Sequence, residues 1–148
     1  MTAAAATPDT HARAFGDVFT RRWVVDVLLD LTGYTAERDL AQLRLVEPSA
    51  GAGAFLLPAI ERLLASARAR GHSVEELTDC IRAWELQPQL AMVLRRAAAA
   101  LVRSHFPSSD SAERLAGAWV TNGDYLLAGG RHEPATVDVV MEAVLQHD

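Results

Sequence analysis

The chain has 148 residues, the size of one domain, and half of them are hydrophobic, too many for wholesale disorder. No apolar run approaches the ~20 residues that a membrane-spanning helix needs. Met1 to Arg13 lacks the basic start and apolar stretch of a secretory signal, and the lone Cys80 excludes an internal disulfide and a Cys-based zinc site, so a reducing cytoplasm is the expected location. The net charge of −5 argues against a stand-alone nucleic-acid binder, and the all-arginine basic complement reads as a GC-rich coding sequence.

Residues 1–14 read as a polar and Ala-rich tail, with one domain over 15–148. The first helix is expected over Arg21 to Leu31, with Thr20 as N-cap and Gly33 as its stop. Val24, Val27, Leu28 and Leu31 recur at helical spacing and give its expected apolar face. After a polar turn, Leu43 to Val46 fits a short buried strand that ends abruptly at Glu47-Pro48-Ser49-Ala50-Gly51-Ala52-Gly53. A helix over Ala54 to Arg70 follows. Its apolar side is Phe55, Leu56, Ile60, Leu63, Leu64 and Ala67, its first turn tolerates Pro58, and Gly71 closes it.

Cys80 to Leu86 reads as a second strand. Pro88 opens a third helix through Leu90, Leu94, Ala97 and Leu101, ending before Pro107. Ala118 to Thr121 reads as a third strand, followed by Asn122-Gly123-Asp124. Gly129-Gly130-Arg131 reads as a loop tip, and Val137 to Met141 as a fourth strand. Strand and helix alternating at this spacing predict an α/β fold with a parallel sheet covered by helices and right-handed crossovers. Ligands of such sheets bind beyond the carboxyl ends of the strands. Glu47, Glu85 and Asp124 stand at three of those ends, so the three acids are expected to line one crevice.

A Gly-rich turn between strand and helix lets a ligand approach the backbone and presents helix N-terminal N–H groups, although a lone Gly-x-Gly is as often a tight turn without a ligand. A dinucleotide site wants Gly-x-Gly-x-x-Gly and an acid ~20 residues on. Here Leu56 replaces the third glycine and Glu85 stands 34 residues past Gly51. Glu47, directly before the turn, would repel a pyrophosphate. It suits a ligand with positive charge and hydroxyls, and S-adenosylmethionine has a sulfonium, an ammonium and a ribose, with no phosphate. Glu85 would then accept from the ribose hydroxyls and Asp124 from the adenine amino group.

These residues resemble the N-terminal part of the N6-adenine DNA methyltransferases of restriction–modification systems, which are class I S-adenosylmethionine-dependent enzymes. Gly16-Asp17-Val18-Phe19-Thr20 resembles the family's leading Gly-x-x-Phe/Tyr-Thr-Pro, with Arg21 in place of the proline. Glu47-Pro48-Ser49-Ala50-Gly51-Ala52-Gly53-Ala54-Phe55-Leu56 resembles its cofactor loop. Trp84-Glu85-Leu86-Gln87-Pro88 and Asn122-Gly123-Asp124-Tyr125-Leu126 resemble its second and third strand ends. The resemblance covers about residues 15–140. It implies a partial Rossmann-like sheet of about four parallel strands in the order 3-2-1-4. It also implies cofactor contacts from Phe19, Thr20, Glu47, Ser49, Ala50, Gly51, Gly53, Phe55, Glu85, Leu86, Asp124 and Tyr125. Thr20 would meet the methionine carboxylate, Glu47 and the Ala50–Gly53 backbone the methionine portion, and Tyr125 or Leu86 the adenine ring.

The family's catalytic Asn/Asp-Pro-Pro-Tyr/Phe, which holds the target amino group and stacks on the flipped base, is missing. After the fourth strand come Glu142-Ala143-Val144-Leu145-Gln146 instead. No catalytic residue is therefore assigned, and little methyl transfer is expected from this chain alone. The expected partners are DNA through a part not present here, and a separately encoded remainder or a second copy at the open fourth strand. No metal and no membrane partner is expected. The alternative is a degenerate, non-catalytic protein that binds S-adenosylmethionine or only a partner; a small-molecule methyltransferase fits the Phe19-Thr20 motif less well. His11, His72, His105, His132 and His147 are not spaced for a metal and read as surface residues. Cys80, Trp84 and Trp119 read as strand core, Arg21-Arg22 and Arg95-Arg96 as solvated faces, and Trp23 as ambiguous.

Overall fold

The computed structural model describes residues 20–128 and the backbone of 139–140. The expected tail, Phe19, the Gly129-Gly130-Arg131 tip and the flanks of the fourth strand lie outside the described residues.

The first helix, α1, spans Arg22–Leu31. Its N-cap is Arg21 in extended conformation, with no side chain capping the helix, so the expected Thr20 cap is corrected. Gly33 does terminate it. At φ +71° it donates to Asp30 O, while Tyr34 donates to Leu29 O. That pair of reversed bonds is the left-handed closure that glycine makes cheapest. The buried face also differs from expectation: Val25 and Leu29 are fully buried, whereas Val27, Leu28, Leu31 and Trp23 are exposed. Periodicity places the apolar side opposite Arg22, Asp26 and Asp30, yet the structure leaves Val27, Leu28 and Leu31 exposed there. The polar strip decides the burial instead. Arg62 donates to the Asp30 carboxylate at 2.6 Å and to the Asp26 carboxylate at 3.3 Å, and Arg22 donates to Glu61 at 2.7 Å. These pairs hold Asp26 and Asp30 over the helix that carries Glu61 and Arg62, and so turn Val25 and Leu29 inward.

Strand β1 is Leu45–Glu47, shifted past the expected Leu43 start, and all three residues are buried. Helix α2, Leu56–Arg70, buries Leu56, Ile60, Leu63, Leu64 and Ala67 as expected, and Gly71 at φ +74° ends it. Strand β2 is Ile81–Glu85 and helix α3 is Pro88–His105. On α3 the buried stripe is Ala91, Leu94, Ala98, Ala99 and Val102. Leu90, Ala97 and Leu101 from the expected face are only half-buried.

Helix α4, Ala112–Trp119, was not legible in the sequence; the expected third strand covered its end. Trp119 is fully buried at the last turn of α4, and its indole N–H donates to Leu77 O at 2.9 Å. It is a core residue, but a helical one. Strand β3 follows at once as Val120–Asn122, and a single turn, α5, covers Tyr125–Ala128.

The α/β class, the parallel sheet and the flanking helices stand as expected. Leu45 pairs with Ile81 and Glu47 with Ala83 across β1 and β2; Ala83 pairs with Val120 and Glu85 with Asn122 across β2 and β3. On the far side of β1 the two-residue strand β4, Val139–Val140, runs parallel, with Val139 beside Leu45. The core lies between this sheet and α2, α3 and α4, built from Ile60, Leu63, Leu64, Ile81, Leu94, Leu115 and Trp119. Among the described residues no helix is long and apolar enough to cross a membrane.

Candidate functional site

The strand registers place the acids on a rising rim. Glu47 is level with Ala83, and Glu85 lies two residues further along β2, level with Asn122. Asp124 follows two residues after that. Adjacent strands are ~4.8 Å apart and each residue advances ~3.3 Å, so the carboxyl edge climbs from β1 to β3. All three acids share one local geometry. Glu47 Oε1 accepts from Ser49 N–H at 3.2 Å, Glu85 Oε1 from Gln87 N–H at 2.7 Å, and Asp124 Oδ1 from Leu126 N–H at 2.9 Å. In each case the amide two residues on fixes one carboxylate oxygen and holds the side chain at the strand end.

Their environments differ. Glu47 is 3% exposed, and burial pushes its carboxyl up to about 8, opposed in part by the Ser49 amide. Burial therefore favours its protonated form at neutral pH. Glu85 is also buried, whereas Asp124 is half-buried and caps α5. Among the described residues no group of His, Cys, Asp and Glu could hold a metal ion.

The turn after β1 is tied to β2, because Ala50 N–H donates to Trp84 O at 2.8 Å. Its two glycines do different things. Gly51, at φ +53°, faces open space: a Cβ added there meets nothing within 4 Å among the described residues. Gly53, at φ +90°, is closed in, and a Cβ would stand 2.5 Å from Leu94 Cδ1 and 2.9 Å from Leu57 Cγ. Gly51 thus leaves the backbone open to a ligand, while Gly53 lets the turn pack on α3. Ser49 is exposed, Ala50 buried, and Phe55 half-buried against the core at the start of α2.

Leu86 is 59% exposed just past Glu85. Tyr125 is half-buried and meets Trp84 edge-to-face, with centroids 5.0 Å apart. Trp84 is therefore a half-buried wall of the rim rather than strand core. The structure brings together Glu47, the Ser49–Gly53 turn, Glu85, Leu86, Asp124 and Tyr125 along one edge. Thr20 stands just before α1, and Phe19 lies outside the described residues. Sequence reasoning missed Asn122 as a rim residue: its Nδ2 donates to Glu85 O at 2.9 Å and to Leu86 O at 3.0 Å. Its place in the Asn122-Gly123-Asp124 strand-end motif was the signal. A broad recess of about 550 Å³ near Arg68, Glu75, His105 and Phe106 lies at the other end of the sheet, where α2 and α3 finish, and shares none of these residues.

No protein-family model and no solved structure matches the chain. Curated relatives do. The type II methyltransferase M.PaeR7I of Pseudomonas aeruginosa is 46% identical over 118 residues, which is 78% of this chain and 21% of that protein. M.XhoI of Xanthomonas vasicola is 40% identical over 117 residues, and M.BstVI of Geobacillus stearothermophilus 35% over 119, each again across 21% of its length. The chain spans about a fifth of the length of the curated relatives it matches. By this similarity over three quarters of its own residues, the chain corresponds to a fragment of a type II restriction–modification methyltransferase.

Proposed function

We propose that the chain is the S-adenosylmethionine-binding segment of an adenine-specific DNA methyltransferase, built on a partial class I sheet with strands in the order 3-2-1-4. The observation that carries this reading is the rim: three carboxylates at successive strand ends, each pinned by the amide two residues on, beside a turn whose Gly51 leaves its backbone open. Such a rim is the wrong sign for a pyrophosphate and the right one for a cation bearing a ribose. On this reading each part of the cofactor has a counterpart among the residues. Glu47 and the Ser49–Gly53 turn would face the sulfonium and ammonium, with Phe19 and Thr20 towards the methionine carboxylate. Phe55 would close the turn from below. Glu85 would accept from the ribose hydroxyls and Asp124 from the adenine amino group, with Leu86 and Tyr125 against the adenine ring.

The cofactor supplies the methyl group; these residues bind and orient it. The 148 residues contain no Asn-Pro-Pro-Tyr, so the stretch by itself is proposed to bind cofactor without transferring methyl. DNA would be met by polypeptide other than these residues. A complementary polypeptide or a second copy would pack where β4 borders the sheet. The missing motif equally favours a second reading, a non-catalytic relative that retains the pocket.

Titration calorimetry with S-adenosylmethionine tests the pocket. Saturable binding, weakened at least tenfold in Glu85→Ala, is expected. Folded protein that gives no heat, or a Glu85→Ala variant of unchanged affinity, overturns the assignment. Robust transfer of labelled methyl to adenine-containing duplex DNA by this chain alone would overturn its non-catalytic part.

A further inference from the structure

We propose that Asn122 is a positioning residue for Glu85, a clamp that joins the carboxyl ends of β2 and β3 and fixes where the Glu85 carboxylate stands. A primary amide nitrogen carries two hydrogens, and those of Asn122 go to two consecutive carbonyls, Glu85 O at 2.9 Å and Leu86 O at 3.0 Å. Gly123 N–H adds a bond to Glu85 O at 3.0 Å. Glu85 and Asn122 are the last register pair of the β2–β3 ladder. Beyond that pair the side chain of Asn122 continues the cross-strand bonding.

The consequence falls on the rim. The main chain of Glu85 is held from β3, and its side chain is folded back onto Gln87 N–H at 2.7 Å. Gln87 in turn is the N-cap of α3. The clamp therefore fixes the exit from β2, the carboxylate and the start of α3 as one unit. A group that must meet two neighbouring hydroxyls needs such fixing, because misplacement by about an ångström forfeits much of the interaction. Few side chains can substitute. Aspartate would set an oxygen against two carbonyl oxygens, and serine offers a single hydrogen. The effect on binding rests on the proposed reading of Glu85 as the ribose acceptor, while the clamp itself does not.

The test uses the intact chain, with S-adenosylmethionine and adenosine as probes. Asn122→Ala and Asn122→Asp are expected to weaken both about tenfold or more, and Asn122→Ser, which keeps one donor, less. In a cycle with Glu85→Gln, the double variant is expected to lose no more than Glu85→Gln alone, because Asn122 acts through Glu85. Additive losses, or undiminished binding in Asn122→Ala, overturn the proposal. Hydrogen exchange supplies a readout without ligand: the Gly123 and Gln87 amides are expected to exchange faster in Asn122→Ala, and unchanged exchange overturns the clamp. Wild-type protein that binds neither probe while the exchange effect is present would refute the reading of Glu85 and leave the clamp standing.

Discussion

Replacing Glu47 with glutamine isolates the electrostatics of the rim. Glu47 is 3% exposed and its carboxyl is pushed from 4.5 to about 8 by burial. In the unfolded chain the group ionises near its ordinary value. Between pH 4.5 and 8 the folded protein thus keeps a proton that the unfolded chain has released, and stability falls as pH rises through that window. At about 1.4 kcal/mol for each tenfold change in proton affinity, the full effect is at most about 5 kcal/mol. About 3 kcal/mol of it falls between pH 5.5 and 8 by the same conversion. Glutamine keeps the shape and can still accept from the Ser49 amide, but it does not titrate. Urea unfolding of wild type and Glu47→Gln across pH 5.5–8.5 is expected to show the variant gaining about 3 kcal/mol relative to wild type as pH rises. A difference constant to within about 0.5 kcal/mol would refute the reasoning, since Glu47 would then titrate as an ordinary surface acid. Under the proposed function a cationic cofactor draws Glu47 into its charged form. Binding should then release a proton near pH 7, seen as a buffer-dependent heat that disappears in Glu47→Gln.

Three further outcomes are expected. Gly53→Ala, with its Cβ 2.5 Å from Leu94 and φ at +90°, should cost about 2–4 kcal/mol, whereas Gly51→Ala, strained at φ +53° but unobstructed, should cost about 1 kcal/mol; chemical denaturation ranks them. Leu29→Ala, from the buried side of α1, should cost about 2–5 kcal/mol, while Leu31→Ala, 78% exposed, should fall within about 0.5 kcal/mol of wild type, and equal losses would mean that α1 is turned the other way. Tyr34 is fully buried, and among the described residues its hydroxyl has no partner, so Tyr34→Phe should leave stability unchanged or raise it by up to about 1–2 kcal/mol in thermal unfolding; a loss above about 1 kcal/mol would show that the hydroxyl has a partner in solution.

The sequence by itself determined the order of the strands, the helices α1 to α3 and the positions of the rim acids. Glu47 and Glu85 each close a strand and Asp124 follows one by two residues, and a parallel sheet gathers such ends at one edge. Gly33 and Gly71 marked helix ends because a left-handed closure favours glycine on local grounds alone. Four things were left to tertiary structure. Which side of α1 is buried depended on Arg62, 31 residues beyond the helix's last residue, finding Asp26 and Asp30. Helix α4 was hidden because Ala118 and Trp119 read equally as strand or helix, and packing in the core decided it. The distinct tasks of Gly51 and Gly53 are set by what stands opposite each: open space for one, Leu94 on α3 for the other. Asn122 likewise became a clamp only when register brought it level with Glu85. Local propensity and pattern fix elements and their ends, but burial, partners and proton affinity belong to pairs of residues far apart in the chain, and those pairs exist only in the folded state.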